Sequence, residues 1–365
     1  MTILRVGIIG CGEITQVAHI PNLGFLSDKF QVTYLCDVSD KALSHCAKKV
    51  IGATPQTTRD AEDLCSSSEV DIVMIANSDA FHVPHALLGL KHNKIVFIEK
   101  PMALSLADAD RIIELEKQSS GKVMVGYMRR YTSAFIDAVS EIGSLDQVHY
   151  ARVRDIVGPN SDFVGQSGTF PRVFGDYRKE DSEALASKTG EFLEQGLTRE
   201  LGIEVNADTA NQWRNLGSLG SHDLSAMREA LGMPKGVLGA SLCSALFQYP
   251  SFAVSYESGI DEVPRFDASI EVFGGKKTVK VCFDSPYVKG LPTTMHIREK
   301  MDDGSFRESM VRKTYEDAYT LEMKELYAFA AEGKPAKTTS EDAKRDLEIF
   351  GMIMKAGLEG HARFK

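Results

Sequence analysis

The sequence predicts an α/β architecture in two domains: a doubly wound parallel sheet over residues 1–127 and an α+β domain over residues 128–365. Three observations lead there. At 365 residues the chain exceeds what one hydrophobic core usually organises. In its first third, short apolar runs alternate with segments of helical periodicity, the pattern of right-handed crossovers in a parallel sheet. Beyond Tyr131, strand-like runs follow one another across short polar turns such as "FGGKK", which argues an antiparallel meander.

Five runs supply the first sheet: residues 5–10, 31–37, 70–76, 94–99 and 122–127. They are apolar almost throughout, as strands covered by helices on both faces must be. Between them, residues 40–50, 82–93 and 105–119 read as helices. Ser105 stands as the N-cap of the last, and Leu106, Ala109, Ile112, Ile113 and Leu115 form its apolar face.

The first strand–helix turn reads "GCGEIT", residues 10–15. Gly10 permits a tight turn, and Gly12 lets the backbone approach a pyrophosphate at the helix N-terminus. Thr15 stands where a dinucleotide fingerprint usually has its third glycine. Asp37 closes the second strand, placed to accept from both ribose hydroxyls of NAD and to repel the 2′-phosphate of NADP. The following Val38, Ser39 and Asp40 include no arginine to receive that phosphate. Strand, turn, helix and Asp37 together predict a Rossmann site for NAD(H) rather than NADP(H). A glycine turn beside a solvated aspartate is the competing reading.

The fourth run ends in "VFIEKPMALS", residues 96–105. A lysine at the end of a core strand is costly unless it is paired or used. Lys100 leaves the strand at the edge where ligands of doubly wound sheets bind, and an ammonium there stabilises negative charge on a reacting oxygen. Glu99 orients or partly neutralises it, and Pro101 fixes the turn that aims it. An exposed Glu–Lys ion pair is the ordinary alternative.

The stretches "GIIGCGEIT", "SDAFHVPHAL", "VFIEKPMALS" and "VGYMRRY", in this order and spacing, resemble the Gfo/Idh/MocA oxidoreductase family, which includes glucose–fructose oxidoreductase and inositol dehydrogenase. "GYMRRY" most resembles the inositol dehydrogenases, and the resemblance becomes diffuse after the first third of the chain. It implies that Lys100 lies beside the nicotinamide and the substrate oxygen and that the Lys100–Pro101 bond is cis. Cofactor contacts would come from Gly10, Gly12, Glu13, Ile14, Asp37, Asn77, His82, Glu99, Lys100 and Pro101, and a substrate contact from Arg129. The second domain would be an open, mostly antiparallel sheet whose inner face covers the cofactor.

Strand candidates in that domain are residues 147–155, 236–249, 251–258, 266–274, 277–284, 293–300 and 305–315. Two helical stretches, "YTLEMKELYAFAAEG" and "SEDAKRDLEIFGMIMKAGLEG", end the chain and are candidates to pack back on the first domain. "GSLGSHDLSAMREALG", residues 217–232, resembles the family's second motif. Its histidine exchanges a proton with the substrate hydroxyl and matches His222. A helix starting near Ser221 places Leu224, Met227 and Leu231 on its apolar face and His222 on the opposite, more polar one. A surface or capping histidine is the alternative. Dehydrogenases of the family carry an aspartate four residues before this histidine. Here the position is Ser218, which lowers the expected basicity of His222 and removes one substrate hydrogen bond. Asp223 is a poor substitute, because helix neighbours point about a quarter-turn apart. The departure bears on inositol dehydrogenation, not on redox chemistry in general.

Residues 158–213 form a long excursion whose aromatics, Phe163, Phe170, Phe174, Tyr177 and Trp213, argue against disorder. Dimer contacts and covering the substrate are equal candidates for its role. Arg154 and Asp155, just before it, are candidates to line the substrate pocket, with a surface salt bridge as the competing role.

Hydrophobic content of 43% and charged content of 25% are those of a soluble globular protein, and a net charge of -9 gives no general affinity for nucleic acid or anionic membrane. No apolar run reaches membrane-span length, and "MTILRVGIIGCG" lacks the order of a signal peptide, so a cytoplasmic protein is expected. Cys11, Cys36, Cys46, Cys65, Cys243 and Cys282 form no CxxC pair and read as reduced thiols. No cluster has metal-ligand spacing, so no metal is expected. The expected function is hydride transfer between NAD(H) and a secondary alcohol or carbonyl of a sugar, cyclitol or related polyol. The expected assembly is a homodimer or homotetramer through the C-terminal sheet. A reductase of a ketone, imine or enone metabolite and a non-catalytic NAD-binding sensor or scaffold are the alternatives.

Overall fold

A computed structural model of the chain describes residues 2–241 and 243–363, with side chains through residue 359. The chain divides into two compact units. The first comprises Met1–Gly126, Ser167–Asn206 and Glu322–Leu347, and the second Tyr127–Gln166, Ala207–Leu321 and Glu348–Lys365.

The first unit is built on six parallel strands: β1 (Leu4–Ile9), β2 (Phe30–Cys36), β3 (Gln56–Thr58), β4 (Ile72–Ile75), β5 (Ile95–Glu99) and β6 (Lys122–Gly126). Their order is β3-β2-β1-β4-β5-β6, so the winding reverses between β1 and β4 and opens a crevice at the carboxyl ends there. Every residue of β4 is buried, as is all of β5 after Ile95, which matches their apolar sequences. β3 was not anticipated. Its three residues, Gln-Thr-Thr, are short, polar and largely exposed at the sheet edge, so no hydrophobic period announces them.

Ser105 caps the helix Leu106–Gln118 as expected, its Oγ accepting from the Asp108 N–H at 3.1 Å. The same N-terminus is capped a second time from far along the chain. The Glu200 carboxylate accepts from the N–H groups of Leu106 and Ala107 at 2.8 and 2.9 Å. The excursion is thus ordered as expected, and most of it, Ser167–Asn206, belongs with the nucleotide-type sheet. Residues from the chain's last part join the same unit. The Val125 N–H donates to the Thr338 carbonyl at 2.8 Å, and the Tyr327 hydroxyl donates to the Thr2 carbonyl at 3.0 Å.

The second unit carries eight strands: β7 (Val148–Val157), β8 (Gly236–Ser241), β9 (Ser244–Gln248), β10 (Ala253–Ile260), β11 (Phe266–Gly274), β12 (Lys277–Phe283), β13 (Thr294–Lys300) and β14 (Phe306–Val311). They run in the order β14-β13-β12-β11-β7-β10-β9-β8. All neighbours are antiparallel except β7 and β10, which interrupt the expected meander with one parallel pair. The single strand expected over residues 236–249 is a hairpin of β8 and β9. Its turn has no Gly, Pro or Asn to mark it, so the run reads as continuous; Leu242 within it lies outside the described residues. No described helix is long and apolar enough to cross a membrane.

Candidate active site

The glycine turn after β1 behaves as its residues require. Gly10 has φ of +103°, and a Cβ there would stand 2.6 Å from the Asn77 backbone nitrogen, so a side chain is excluded by both strain and space. Around Gly12 the space is open, as a backbone approached by a ligand needs. Thr15, in place of the third glycine, is buried and donates through its hydroxyl to the Gly10 carbonyl at 2.6 Å, pinning the turn. Ile14 lies half-buried at the start of the following helical segment.

A cavity of about 550 Å³ opens beside this turn, lined by Gly10, Gly12, Glu13, Asp37 and Asn77 together with residues the sequence did not assign to the cofactor. Asp37 holds its carboxylate by accepting from the N–H groups of Cys11 at 2.7 Å and Ser39 at 2.8 Å. Burial nevertheless pushes this carboxyl above its ordinary value, against those two donors. Asn77 donates through its amide to His85 Nδ1 at 3.1 Å, and its Oδ1 has no protein partner among the described residues. Burial, with His82 nearby, depresses His85 to about 4, so the ring is neutral and can accept that bond. Val38, Tyr177 and Leu185, 39, 53 and 40% exposed, place apolar surface in the same cavity. Open backbone at Gly12, an acceptor at Asp37, an unmet amide oxygen and bare apolar walls fit a dinucleotide. The expectation of no arginine near Asp37 holds only for the three residues that follow it, since Arg59, just after β3, also lines the cavity.

At the end of β5, Lys100 is half-buried and the Lys100–Pro101 bond is cis, as the resemblance implied. Glu99 is buried and accepts from His19 Nε2 at 3.0 Å. Burial favours its neutral form, but His19, Lys100 and His82 outweigh that and hold it below its ordinary value. Glu99 is therefore an anion behind Lys100. His82 is buried with Nδ1 2.8 Å from the Pro101 carbonyl and Nε2 3.1 Å from that of Asn77. It clamps the turn that carries Lys100 to the turn that carries Asn77. Sequence reasoning missed His19, His85 and Glu322. Burial and the Glu99 anion raise the fully buried Glu322 carboxyl well above its ordinary value.

In the second unit, Arg129 donates to the carboxylates of Asp155, at 3.0 Å, and Asp223. Its guanidinium lies over the rings of Phe283 and Phe266, at 5.2 and 5.6 Å. Asp155 is 0% exposed, so its carboxylate is enclosed against Arg129 rather than open to a pocket. Burial and Asp155 raise the Asp223 carboxyl well above its ordinary value in spite of Arg129. Arg129→Met should therefore cost about 3–5 kcal/mol of stability, since it strands buried carboxyls. Urea unfolding measures this, and a loss below about 1 kcal/mol would contradict the account of the cluster. Arg154 takes its competing role, pairing with Glu257 at 2.6 Å and Asp267 at 2.7 Å on a half-exposed strand face.

His222 lies in the first turn of the helix Ser221–Leu231, but it is only 9% exposed. The polar, solvated face expected for it is absent, because every residue from Ser221 to Arg228 is buried. The helix also starts earlier than expected. Residues Ala207–Asn215 run through a π-helical turn, Leu216–Gly220, into Ser221. Ser218 sits exposed in that π-turn and donates to the Asn215 carbonyl at 3.4 Å.

Residues 4–127 match an oxidoreductase family with an NAD-binding Rossmann fold. That match is to the Rossmann domain of the Gfo/Idh/MocA oxidoreductases, over the first third of the chain. A myo-inositol 2-dehydrogenase of Thermotoga maritima is 27% identical over 98% of this chain and 96% of its own length. An inositol 2-dehydrogenase of Salmonella typhimurium is 35% identical, but over 39% of this chain and 42% of its own. Among solved structures, a 3-ketoreductase from Actinomadura kijaniata in complex with NADP superposes with a TM-score of 0.71 at 14% identity, covering 97% of this chain and 98% of that one. That likeness establishes the shared fold. The chain is accordingly an NAD(P)-dependent oxidoreductase with a Rossmann domain and a mostly antiparallel eight-stranded sheet.

Proposed function

We propose that the protein is an NAD(H)-dependent dehydrogenase of a sugar, cyclitol or related polyol, acting at a secondary alcohol or its carbonyl. The observation that carries the reading is the Lys100–Pro101 turn at the end of β5, braced by Glu99 and His82 in the unit that holds the dinucleotide cavity. Similarity to a myo-inositol 2-dehydrogenase along almost the whole chain supports the substrate class. The bound nicotinamide supplies the hydride chemistry. Gly10 and Gly12 present backbone to the pyrophosphate, and Asp37 accepts from the adenosine ribose. Lys100 donates to the substrate oxygen and stabilises the alkoxide as the hydroxyl ionises. His222 takes the hydroxyl proton in oxidation and returns it in reduction.

The test is NADH formation across a panel of inositols, aldoses and polyols, with ketone reduction by NADH measured alongside. Turnover of a cyclitol or sugar supports the reading, and turnover of ketone or enone metabolites alone overturns it. Ser218 favours that second reading, because it provides no carboxylate four residues before His222. We further assign the cofactor as NAD(H) on the strength of Asp37. NADH should bind more tightly than NADPH, and Asp37→Ser should narrow the gap by about tenfold, as read by fluorescence titration. A wild-type preference for NADPH would make the assignment wrong. Assembly as a homodimer or homotetramer through the C-terminal sheet belongs to the same reading. Ile260, Phe306 and Met310, exposed on its strands, support it.

A further inference from the structure

Residues 167–206 carry none of the recognised motifs, yet, besides the Glu200 cap on the helix Leu106–Gln118, their first part is tied down around Asp37. Gln16, just after the glycine turn, donates to the Arg172 carbonyl at 3.0 Å and accepts from the Arg172 N–H at 2.9 Å. Asp176 accepts from the Ser39 hydroxyl and, at 3.1 Å, from the Lys41 N–H. Asp181 accepts from Arg59 Nη2 at 2.8 Å. All of these anchors follow β1, β2 or β3, around Asp37. Tyr177, Asp181, Ser182, Ala184 and Leu185 are walls of the same cavity as Gly12 and Asp37.

We propose that this segment completes the adenosine half of the dinucleotide site, and that its Asp181 is a specificity-determining residue that keeps Arg59 from receiving a 2′-phosphate. The proposal rests on the NAD(H) reading above and adds its second determinant. Arg59 is the one arginine or lysine among the described residues that line the cavity, and it is placed beside Asp37. A guanidinium there has the forked donors that recognise phosphate. Its fork is already occupied: Nη2 donates to Asp181, and Nη1 lies 3.5 Å from Asp40. Asp37 then excludes the 2′-phosphate by direct repulsion, and Asp181 excludes it by holding the one cation that would attract it. Val38, Tyr177 and Leu185 supply the apolar surface an adenine ring covers, two of them from the segment itself.

Fluorescence titration of NADH and NADPH tests this in wild type, Asp181→Asn, Asp181→Glu, Arg59→Ala and the Arg59→Ala/Asp181→Asn pair. Asp181→Asn should tighten NADPH about tenfold relative to NADH, with the gain shrinking as salt is raised. Asp181→Glu should keep the wild-type ratio. In the Arg59→Ala background the Asp181→Asn gain should vanish, because no cation remains to be released. An unchanged ratio in Asp181→Asn overturns the proposal, and so does an equal gain without Arg59. A variant that merely loosened the segment would weaken both cofactors together and leave the ratio unchanged, which also counts against it. Wild-type preference for NADPH would overturn the NAD(H) reading instead, since the proposal is judged on the change from wild type.

Discussion

Lys100→Met should lower kcat by about 10²–10³-fold while NADH affinity stays within about threefold. Methionine keeps an unbranched stem of similar reach and removes only the charge and its donors. The proposed cofactor determinants Gly10, Gly12 and Asp37 follow β1 and β2, whereas Lys100 follows β5, so the amine should not be needed to hold the adenosine or pyrophosphate. In the proposed reaction it supplies a donor to the substrate oxygen when that oxygen becomes negative. The fold around it prepares for a cation. Glu99 is kept ionised by His19, Lys100 and His82, despite its burial, and sits directly before Lys100 in the chain. Removing Lys100 takes away one of the charges that hold Glu99 anionic but leaves its bond to His19. The turn should therefore survive, and the deficit should lie in kcat rather than in folding. Single-turnover kinetics with titration of NADH separate the two. Turnover near wild type would reduce Lys100 to a strand-end ion pair.

The parts of this protein that were legible in its sequence are those whose signal is local. The apolar runs of β1, β2, β4, β5 and β6 and the Ser105 cap each depend on residues adjacent in the chain, and each is found within a few positions of where it was expected. Gly10 was legible because a positive φ leaves few alternatives. What was illegible depends on partners far apart in sequence. The resemblance implies a substrate contact at Arg129, and Asp155, ending a strand before the excursion, reads as a pocket candidate. Asp223, 94 residues from Arg129, closes them into a buried cluster instead. His222 read as exposed from its helical face, and the covering of the opposite face cannot be seen in a helical wheel. Arg59 and Asp181 are 122 residues apart, so neither announces that it shares a cavity with Asp37. His82 and Glu99 lay within recognised stretches, yet their bracing partners, the Pro101 and Asn77 carbonyls and His19, appear only in three dimensions.

His222→Ala should lower kcat by about 10²–10⁴-fold, the range that a positioned acid–base group contributes. The loss should be greatest at neutral pH and smaller at high pH, where hydroxide can take the hydroxyl proton. The residue is well placed to be held: it lies in the first turn of a helix whose next residue, Asp223, is locked to Arg129. That lock also settles what Asp223 can offer. Its carboxylate is buried and accepts from Arg129, so it does not replace the aspartate that Ser218 displaces. Restoring that charge tests the substitution. In Ser218→Asp, a carboxylate four residues before His222 favours the imidazolium and raises the pH at which the histidine loses its proton. Oxidation requires the neutral ring, so the acidic limb of the kcat profile should move to higher pH in Ser218→Asp than in wild type. Reduction requires the protonated ring, and its basic limb should move the same way. Opposite movements of the two limbs, or none, would disprove the coupling between positions 218 and 222. Unchanged turnover in His222→Ala would remove the histidine from the reaction altogether, and proton transfer would then fall to water. The π-turn gives the experiment its clearest structural control. Ser218 is exposed, and Ser218→Asn adds a neutral polar group of the size of aspartate, so it should fold normally and leave both limbs where the wild type has them.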